Sequence, residues 1–203
     1  MPLVSSSVPK DERSTVVVTI DRNKLRADLE DPDEDIRRAA VRLAARLGEA
    51  EVLARHLEDE SDAGLRETIL TSLVRIGGVK AARPLLKTLR SEDALLRNAV
   101  IETLQSMGET VAAEIETLLD DENPDLRIYG VYIIQAMRSP RVPDIALRVA
   151  ATDSHVNVCA AAVDVLAEVG RREMAEELRA VANRFPDQPF LGFAVRAAIK
   201  RIG

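Results

Sequence analysis

The chain has 203 residues, a formal net charge of −6, and an aromatic content of only 2% beside 46% hydrophobic residues. A core without tryptophan must be built from leucine, isoleucine, valine and alanine, which favours helices packed face to face over β-sandwiches or barrels. The acidic balance disfavours nucleic-acid binding, and no apolar run approaches the roughly 20 residues of a membrane helix.

Residues 1–20 are expected to form an extended, mobile arm ahead of the helices. Within this arm, Thr15–Ile20 is a β-branched run, TVVVTI, that is typical of a strand but has no second strand in the chain to pair with. Two interpretations remain open. The run caps the first helices, or it adds as a strand to a partner protein or to a second copy of the chain.

Residues 21–203 are expected to form one helical repeat domain. The segment Asp31–Gly48, DPDEDIRRAAVRLAARLG, recurs in five further copies, and its anchor residue returns after 29, 31, 30, 32 and 33 residues. The anchors are Arg37, Arg66, Arg97, Arg127, Cys159 and Gly192. Such a repeat with helical periodicity inside it predicts a solenoid. We therefore expect an all-α, right-handed α–α superhelix of about six units, each a short first helix followed by a longer second helix.

The ends of the second helices carry capping residues. Aspartate, asparagine or serine stands before most of them, where an oxygen accepts from the free amides of the first turn. Gly48, Gly77, Gly108 and Gly170 follow four of them and predict left-handed C-terminal caps. The fourth unit has Arg138-Ser139-Pro140 instead, which predicts an irregular turn.

Positions within the second helix divide into a core face and an outer face. The residues one before the anchor and three, seven and ten after it share one helical face and are expected to be buried, as Leu65, Ile69 and Leu73 illustrate. The residues at positions one, five and eight after the anchor are directed away from that face. These outer positions are expected to meet either water or a partner.

The first unit follows the pattern D-P-[DE]-x-x-[IL]-R-x-x-A-x-x-x-L-x-x-[IL]-G, and the next three follow it in part. This pattern resembles HEAT repeats, particularly the short bacterial type named after phycobilisome lyases. The resemblance implies a non-enzymatic adaptor or scaffold that binds another protein along its concave, long-helix face and needs no cofactor. The alternative that it implies is a phycobilin-lyase-like subunit that holds a tetrapyrrole or assists a lyase.

The same resemblance implies a structural ladder that ties successive units together. In it, an arginine of each second helix meets an acidic residue of an inter-helix turn, since a guanidinium can donate to several acceptors at once. A row of arginines for phosphate is the competing interpretation. The ladder residues are Asp31, Arg37, Asp59, Arg66, Arg97, Asp121 and Arg127.

The outer positions around the fourth unit are the candidate partner site. Both tyrosines of the chain lie here, and tyrosine is a frequent anchor in protein interfaces because it is amphipathic and has few rotatable bonds. The competing interpretation is that Tyr129 fills a gap left by Gly130 while Tyr132 is ordinary surface. The candidate site comprises Asn98, Glu102, Gln105, Ile128, Tyr132 and Gln135.

The remaining reactive or apolar side chains give weaker signals. Cys159 is the only cysteine and lies one helical turn after His155, so it is either a nucleophile or attachment point or a small buried residue. A lone cysteine and the absence of a recognisable export signal indicate the cytoplasm, and no metal site is expected. Phe193, on the last helix, is predicted to point outward and to serve self-association or to contact the chain's own tail.

Overall fold

The computed structural model describes residues 21–203, so the arm with its predicted strand at Thr15–Ile20 lies outside the described residues. Residues 21–203 contain no strand and form twelve α-helices in six pairs. The prediction of an all-α solenoid is confirmed. The helices are α1 (Arg22–Leu29), α2 (Glu34–Leu47), α3 (Ala50–Asp59), α4 (Ala63–Ile76), α5 (Gly78–Thr88), α6 (Ala94–Met107), α7 (Ala112–Leu118), α8 (Pro124–Gln135), α9 (Val142–Thr152), α10 (Val156–Val169), α11 (Ala175–Arg184) and α12 (Pro189–Ile202).

The second helices form a continuous layer. In it, α2, α4, α6, α8, α10 and α12 each pack against the next, and each also packs against the first helix of its own unit. The layer of first helices is less regular: α3 packs closely on α5, and α9 on α11, but α1 makes little direct contact with α3, and α7 makes little with α9. None of the helices between residues 21 and 203 has both the length and the apolarity to span a membrane.

Side-chain caps begin four of the six second helices. The side chains of Asp33, Asp62, Asp93 and Asn123 accept hydrogen bonds from amides in the first turns of α2, α4, α6 and α8. These bonds satisfy donors that have no partner within the helix.

The predicted left-handed cap is present at Gly48, with φ 69° and ψ 32°, whereas Gly77 and Gly108 combine a positive φ with extended ψ values of 177° and −143°. Gly48, Gly77 and Gly108 have positive φ angles, which glycine adopts at no steric cost. Gly170 is extended at φ −64°, so the prediction was wrong there. A Cβ atom at residue 170 would lie 2.4 Å from the carbonyl oxygen of Leu166, which means that this glycine permits a close backbone approach instead.

The core is a single run of aliphatic side chains between the two layers. Most residues of the predicted core face are buried, and Leu65, Ile69 and Leu73 are 0% exposed. Ile36 and Val169 differ, with 40% and 37% of their surface exposed. Ile36 belongs to the first unit and has no preceding unit among the described residues to cover it, whereas Val169 lies in the last turn of its helix.

The fourth unit ends irregularly, as its Arg138-Ser139-Pro140 turn predicts. Helix α8 has 12 residues where most second helices have 14, and it stops at Gln135 without a glycine cap. The neighbouring first helices, α7 and α9, are bridged by ion pairs between Arg141 and Glu116, at 2.8 Å, and between Arg148 and Asp120, at 3.6 Å. These pairs connect two helices that otherwise make little contact.

Candidate partner-binding surface

The predicted ladder arginines bind the main chain of their own inter-helix turn. Arg37, Arg97 and Arg127 each donate from Nη1 to the carbonyl oxygen six residues earlier, at 2.9, 2.7 and 2.8 Å. Arg66 makes the same contact from Nε to the carbonyl oxygen of Glu60. Each guanidinium therefore fixes the turn that leads into its own helix.

Acidic side chains of the following unit complete three of these arginine contacts. Glu60, Asp93 and Asp153 accept charge-assisted hydrogen bonds from Arg37, Arg66 and Arg127 at 2.9, 2.8 and 2.7 Å. The row of arginines thus links each of these units to the next and leaves little of the guanidinium charge for phosphate.

The side chains of the predicted acidic ladder residues do not bind the ladder arginines. The carboxylates of Asp31 and Asp121 accept from the amides of Asp33 and Asn123 within their own turns. Asp121 also pairs with Arg90 at 2.5 Å. Asp59 is exposed and makes no hydrogen bond with Arg66, whose main-chain and carboxylate partners are Glu60 and Asp93.

Glu60 is the most buried charged group described, with 3% of its surface exposed. Its carboxylate accepts from Arg37 and from the amide of Asp62 at 2.9 Å, and it lies 3.2 Å from Nε2 of His56. Burial opposes ionisation, but the hydrogen bonds from Arg37 and Asp62 outweigh it and lower the pKa of this carboxyl. The ionised Glu60 carboxylate therefore connects the first unit to the second.

Cys159 occupies the anchor position of the fifth unit and is fully buried. Its Sγ donates to the carbonyl oxygen of Asp153 at 3.4 Å rather than to an imidazole. Arg184, from α11, donates to the carbonyl oxygens of Ala150 and Asp153 and so takes the place of the missing anchor arginine. Burial raises the pKa of the thiol, which disfavours the nucleophilic thiolate.

We expect Cys159 to react with a disulfide reagent such as DTNB only when the array opens. The thiol has no exposed surface and a raised pKa, so the native protein should release thionitrobenzoate at least about a hundredfold more slowly than the urea-unfolded chain. Absorbance at the thionitrobenzoate band measures both rates. Rapid stoichiometric reaction of the native protein would contradict this and would point to a reactive cysteine.

The six residues of the candidate partner site do not form one free surface. Asn98, Glu102 and Tyr132 are exposed. Gln105 donates to the main-chain carbonyl of Tyr132 at 2.9 Å, and Gln135 donates to Glu168 at 2.8 Å, so both glutamines link neighbouring second helices.

Ile128 and Tyr129 are half-buried and pack against the core. The space beside Gly130 is filled by Leu119, because a Cβ atom at residue 130 would lie 2.8 Å from Cδ2 of that leucine. Tyr129 therefore does not fill that gap, and Tyr132 is the tyrosine that faces outward.

A groove of about 570 Å³ lies one unit earlier than the predicted site, between α4 and α6. Two aliphatic side chains at this groove are exposed, Leu95 to 79% and Val74 to 38%, and Leu95 is the most exposed large apolar residue described. Of the six residues of the candidate partner site, only Glu102 lines this α4–α6 groove. Its lining comprises Ala63, Arg66, Glu67, Leu70, Thr71, Val74, Leu95, Leu96, Ala99, Glu102, Thr103 and Ser106.

The sequence carries a signal for Leu95 that the periodicity argument missed. Leu95 lies two residues before the anchor, a position in the first turn of the second helix. Four of the other units have a small or polar residue there, and only the last has an apolar one: Asp35, Gly64, Asp125, Asn157 and Phe190. Leu95 and Val74 therefore supply the exposed aliphatic surface of the α4–α6 groove.

Residues 21–203 contain no cluster of three side chains able to hold a metal ion. The HEAT repeats family model matches residues 23–105. Comparison with curated proteins finds no match. A crystal structure described as an engineered protein, a Northeast Structural Genomics Consortium target, is similar at 15% identity and a TM-score of 0.42, over 88% of this chain and 95% of that one. Over α1 to α6, therefore, this chain is similar to HEAT repeats, and the same two-helix unit continues to α12.

Proposed function

We propose that the protein is a non-enzymatic adaptor that binds a partner protein along the face formed by its second helices, centred on the α4–α6 groove. The observation that carries this proposal is the exposed leucine at the groove. Exposure of Leu95 to water costs about 2 kcal/mol relative to its burial, and no contact within the chain buries it. A partner that covers the leucine recovers that energy.

The shape and chemistry of the groove favour a helical segment as its occupant. Helices α4 and α6 pack side by side and leave a groove between them, which is lined in part by Leu70 and Ala99. An amphipathic helix places apolar side chains at intervals of three and four residues, which suits such a channel. Glu67 and Glu102 line the same groove and favour a partner with basic residues beside its apolar stripe. Exposed Tyr132, on α8, extends the surface beyond the groove.

The test is site-specific photocrosslinking in an extract of the native host. A photoreactive phenylalanine analogue at position 95 should capture a partner that the same analogue at position 79 does not. Val79 is another exposed apolar residue, with 42% of its surface exposed, but it lies on a first helix. Unlabelled wild-type protein should compete for the capture, whereas Leu95→Asp should compete about thirtyfold less well, since losing an interface anchor costs about 2 kcal/mol.

Equal competition by Leu95→Asp and wild type would show that the groove is not the binding site. Capture at positions 95 and 79 alike would show only non-specific contact. A bilin that acquires a new visible absorption band on mixing with the protein, and loses it with Leu95→Asp, would instead assign the groove to a tetrapyrrole.

A further inference from the structure

The second helices stack in one fixed register. The residue that precedes the anchor is covered by the unit before it, and in five units it is at most 2% exposed: Leu65, Leu96, Leu126, Val158 and Leu191. The residue four after the anchor faces the unit that follows. Val41, Val131 and Val163 hold this position and are completely buried. Each second helix therefore has one face for its predecessor and another for its successor.

Helix α2 is the second helix of the first unit. In later units the equivalent face packs against the preceding unit, but on α2 no described residue covers it. Ile36, Ala39 and Leu43 line a recess of about 460 Å³, and Ile36 is 40% exposed where its equivalents are buried. Asp35 and Asp28 lie on one side of the recess, and Arg46 lies further along α2. Asp28 is also 3.3 Å from Nζ of Lys24, whereas Asp35 has no ion pair among residues 21–203.

Helix α12 is the second helix of the last unit, and it presents the opposite face, the one that in earlier units packs against the following unit. Phe193, Arg196 and Lys200 stand one, four and eight residues after the anchor Gly192, and Phe193 is 68% exposed. In earlier units the equivalents of Phe193 include Ile128 and Ala160, which are half-buried and packed against the core. A following unit covers the Arg196 position, wholly or in part, in all five earlier units, the Lys200 position in four and the Phe193 position in three. The equivalents that stay exposed are Glu67, Asn98 and Val74.

We propose that a second copy of this chain stacks end to end on the first, with α12 of one copy packed on α2 of the other in the register that joins units within the chain. Phe193 then enters the recess at Ile36, Ala39 and Leu43. Arg196 lies toward Asp35, which supplies the charge complementarity. The contact is heterologous, since different faces meet, so it leaves a free face at each end and forms open chains of copies rather than a closed dimer.

One pair in this register is unfavourable and keeps the association weak. Between α8 and α10, the residue eight after one anchor meets the residue nine after the next, as the 2.8 Å hydrogen bond from Gln135 to Glu168 shows. The same register between copies brings Lys200 toward Arg46. Like charges at this position oppose stacking, so added salt has opposite effects on this pair and on Arg196 with Asp35.

The first test is complementation between two variants of the full chain. Sedimentation equilibrium should show the wild-type weight-average mass rising toward roughly 1 mM protein, where weak contacts become populated. Phe193→Asp and Ile36→Asp should each stay monomeric, because each has lost one of the two faces. Mixed together, they should form a dimer that grows no further, since the intact Phe193 face of one variant meets the intact Ile36 face of the other.

Three outcomes would overturn the proposal. They are a wild-type chain that stays monomeric over the whole range, a mixture that stays monomeric, and an Ile36→Asp variant that still dimerises. The last outcome would mean that two copies of the Phe193 face meet symmetrically. Both substituted side chains are exposed in the free chain, so unchanged far-UV circular dichroism should confirm that each variant folds.

The second test addresses the register. Lys200→Glu should strengthen association because it replaces a repulsive pair with Arg46 by an attractive one, and Arg196→Glu should weaken it. Arg75→Glu, at an exposed site on α4, makes the same change in net charge and should leave association as in the wild type. If Lys200→Glu and Arg196→Glu shift association in the same direction, the proposed register is wrong.

Discussion

Replacing Glu60 by glutamine is expected to lower the free energy of unfolding by about 3 kcal/mol. The wild-type carboxylate is buried and accepts from Arg37 and from the amide of Asp62, beside the ring of His56. The glutamine amide keeps the shape but removes the negative charge, which leaves a partly buried guanidinium without its counterion. Urea unfolding at pH 7, followed by circular dichroism, measures the loss.

Glu58→Gln is the matched control for Glu60→Gln. Glu58 lies two residues earlier, in the last turn of α3, and its exposed side chain makes no hydrogen bond or ion pair among the described residues. Its replacement should change stability by less than about 0.5 kcal/mol. Equal effects of the two substitutions would mean that the buried carboxylate does not join the first two units.

The loss at Glu60 should also depend on pH with a definite sign. The pKa of this carboxyl is lower in the folded protein than in the unfolded chain, where it is about 4.3. The group therefore contributes stability above the unfolded pKa, and this contribution disappears as the pH falls through the lower folded value. The wild type should accordingly lose its advantage over Glu60→Gln between about pH 4.5 and the acid limit of folding. A constant difference over that range would assign it to packing instead of charge.

The solenoid was predictable because its determinants are local and repeated. Helical periodicity, the polar caps at Asp62 and Asp93, and the glycines at residues 48, 77 and 108 act within a few residues, so the sequence displays them directly. Repetition in phase then added the tertiary information, since each copy needs a neighbour to cover its apolar face.

The carboxylate partners of the arginines were not predictable in the same way. Sequence spacing pairs Arg66 with Asp59, but the structure pairs it with Asp93, 27 residues later. Such a contact depends on how far one unit rotates relative to the next, and no local pattern encodes that angle. Arg184 was missed for the same reason, because it compensates for Cys159 from a different helix.

The candidate partner surface illustrates a different limit. Outward positions were identified correctly for Glu102 and Tyr132, but the sequence did not show that Gln105 and Gln135 donate hydrogen bonds across to the next helix. Nor did periodicity reveal the α4–α6 groove. A groove depends on the sizes of the side chains along both of its walls. Here small Ala99 lines the groove together with Leu70, and the side chain of Leu95 is exposed to solvent.

The join between the fourth and fifth units is where a single substitution should divide the array. Along the first-helix layer, α7 and α9 make little direct contact, so the second helices α8 and α10 carry the join. Arg127 binds Asp153 through two hydrogen bonds of 2.7 and 2.9 Å and also binds the turn before α8. Burial acts to raise the pKa of the Asp153 carboxyl, but the hydrogen bonds from Arg127 and from the amide of His155 outweigh it and lower that pKa.

Arg127→Met is therefore expected to cost about 3 kcal/mol, because it leaves Asp153 buried without its cation. In a double-mutant cycle with Asp153→Asn, the two side chains should show a coupling energy of about 2 kcal/mol. Hydrogen exchange should show α9 to α12 losing protection before α1 to α6 in Arg127→Met, since the substitution weakens the join between α8 and α10 and a repeat array can open at one interface. The wild type should lose protection more uniformly across the array.

Arg141→Met is the control at the same join. Arg141 pairs with Glu116 at 2.8 Å, but its side chain is 65% exposed, so the pair is screened and should contribute less than about 1 kcal/mol. If Arg127→Met costs no more than this control, the exposed bridge between the first helices holds the fourth and fifth units together as well as the buried one does. If it costs more and splits the exchange pattern, then the stability of this array depends on buried arginine–carboxylate contacts that cross from one unit to the next.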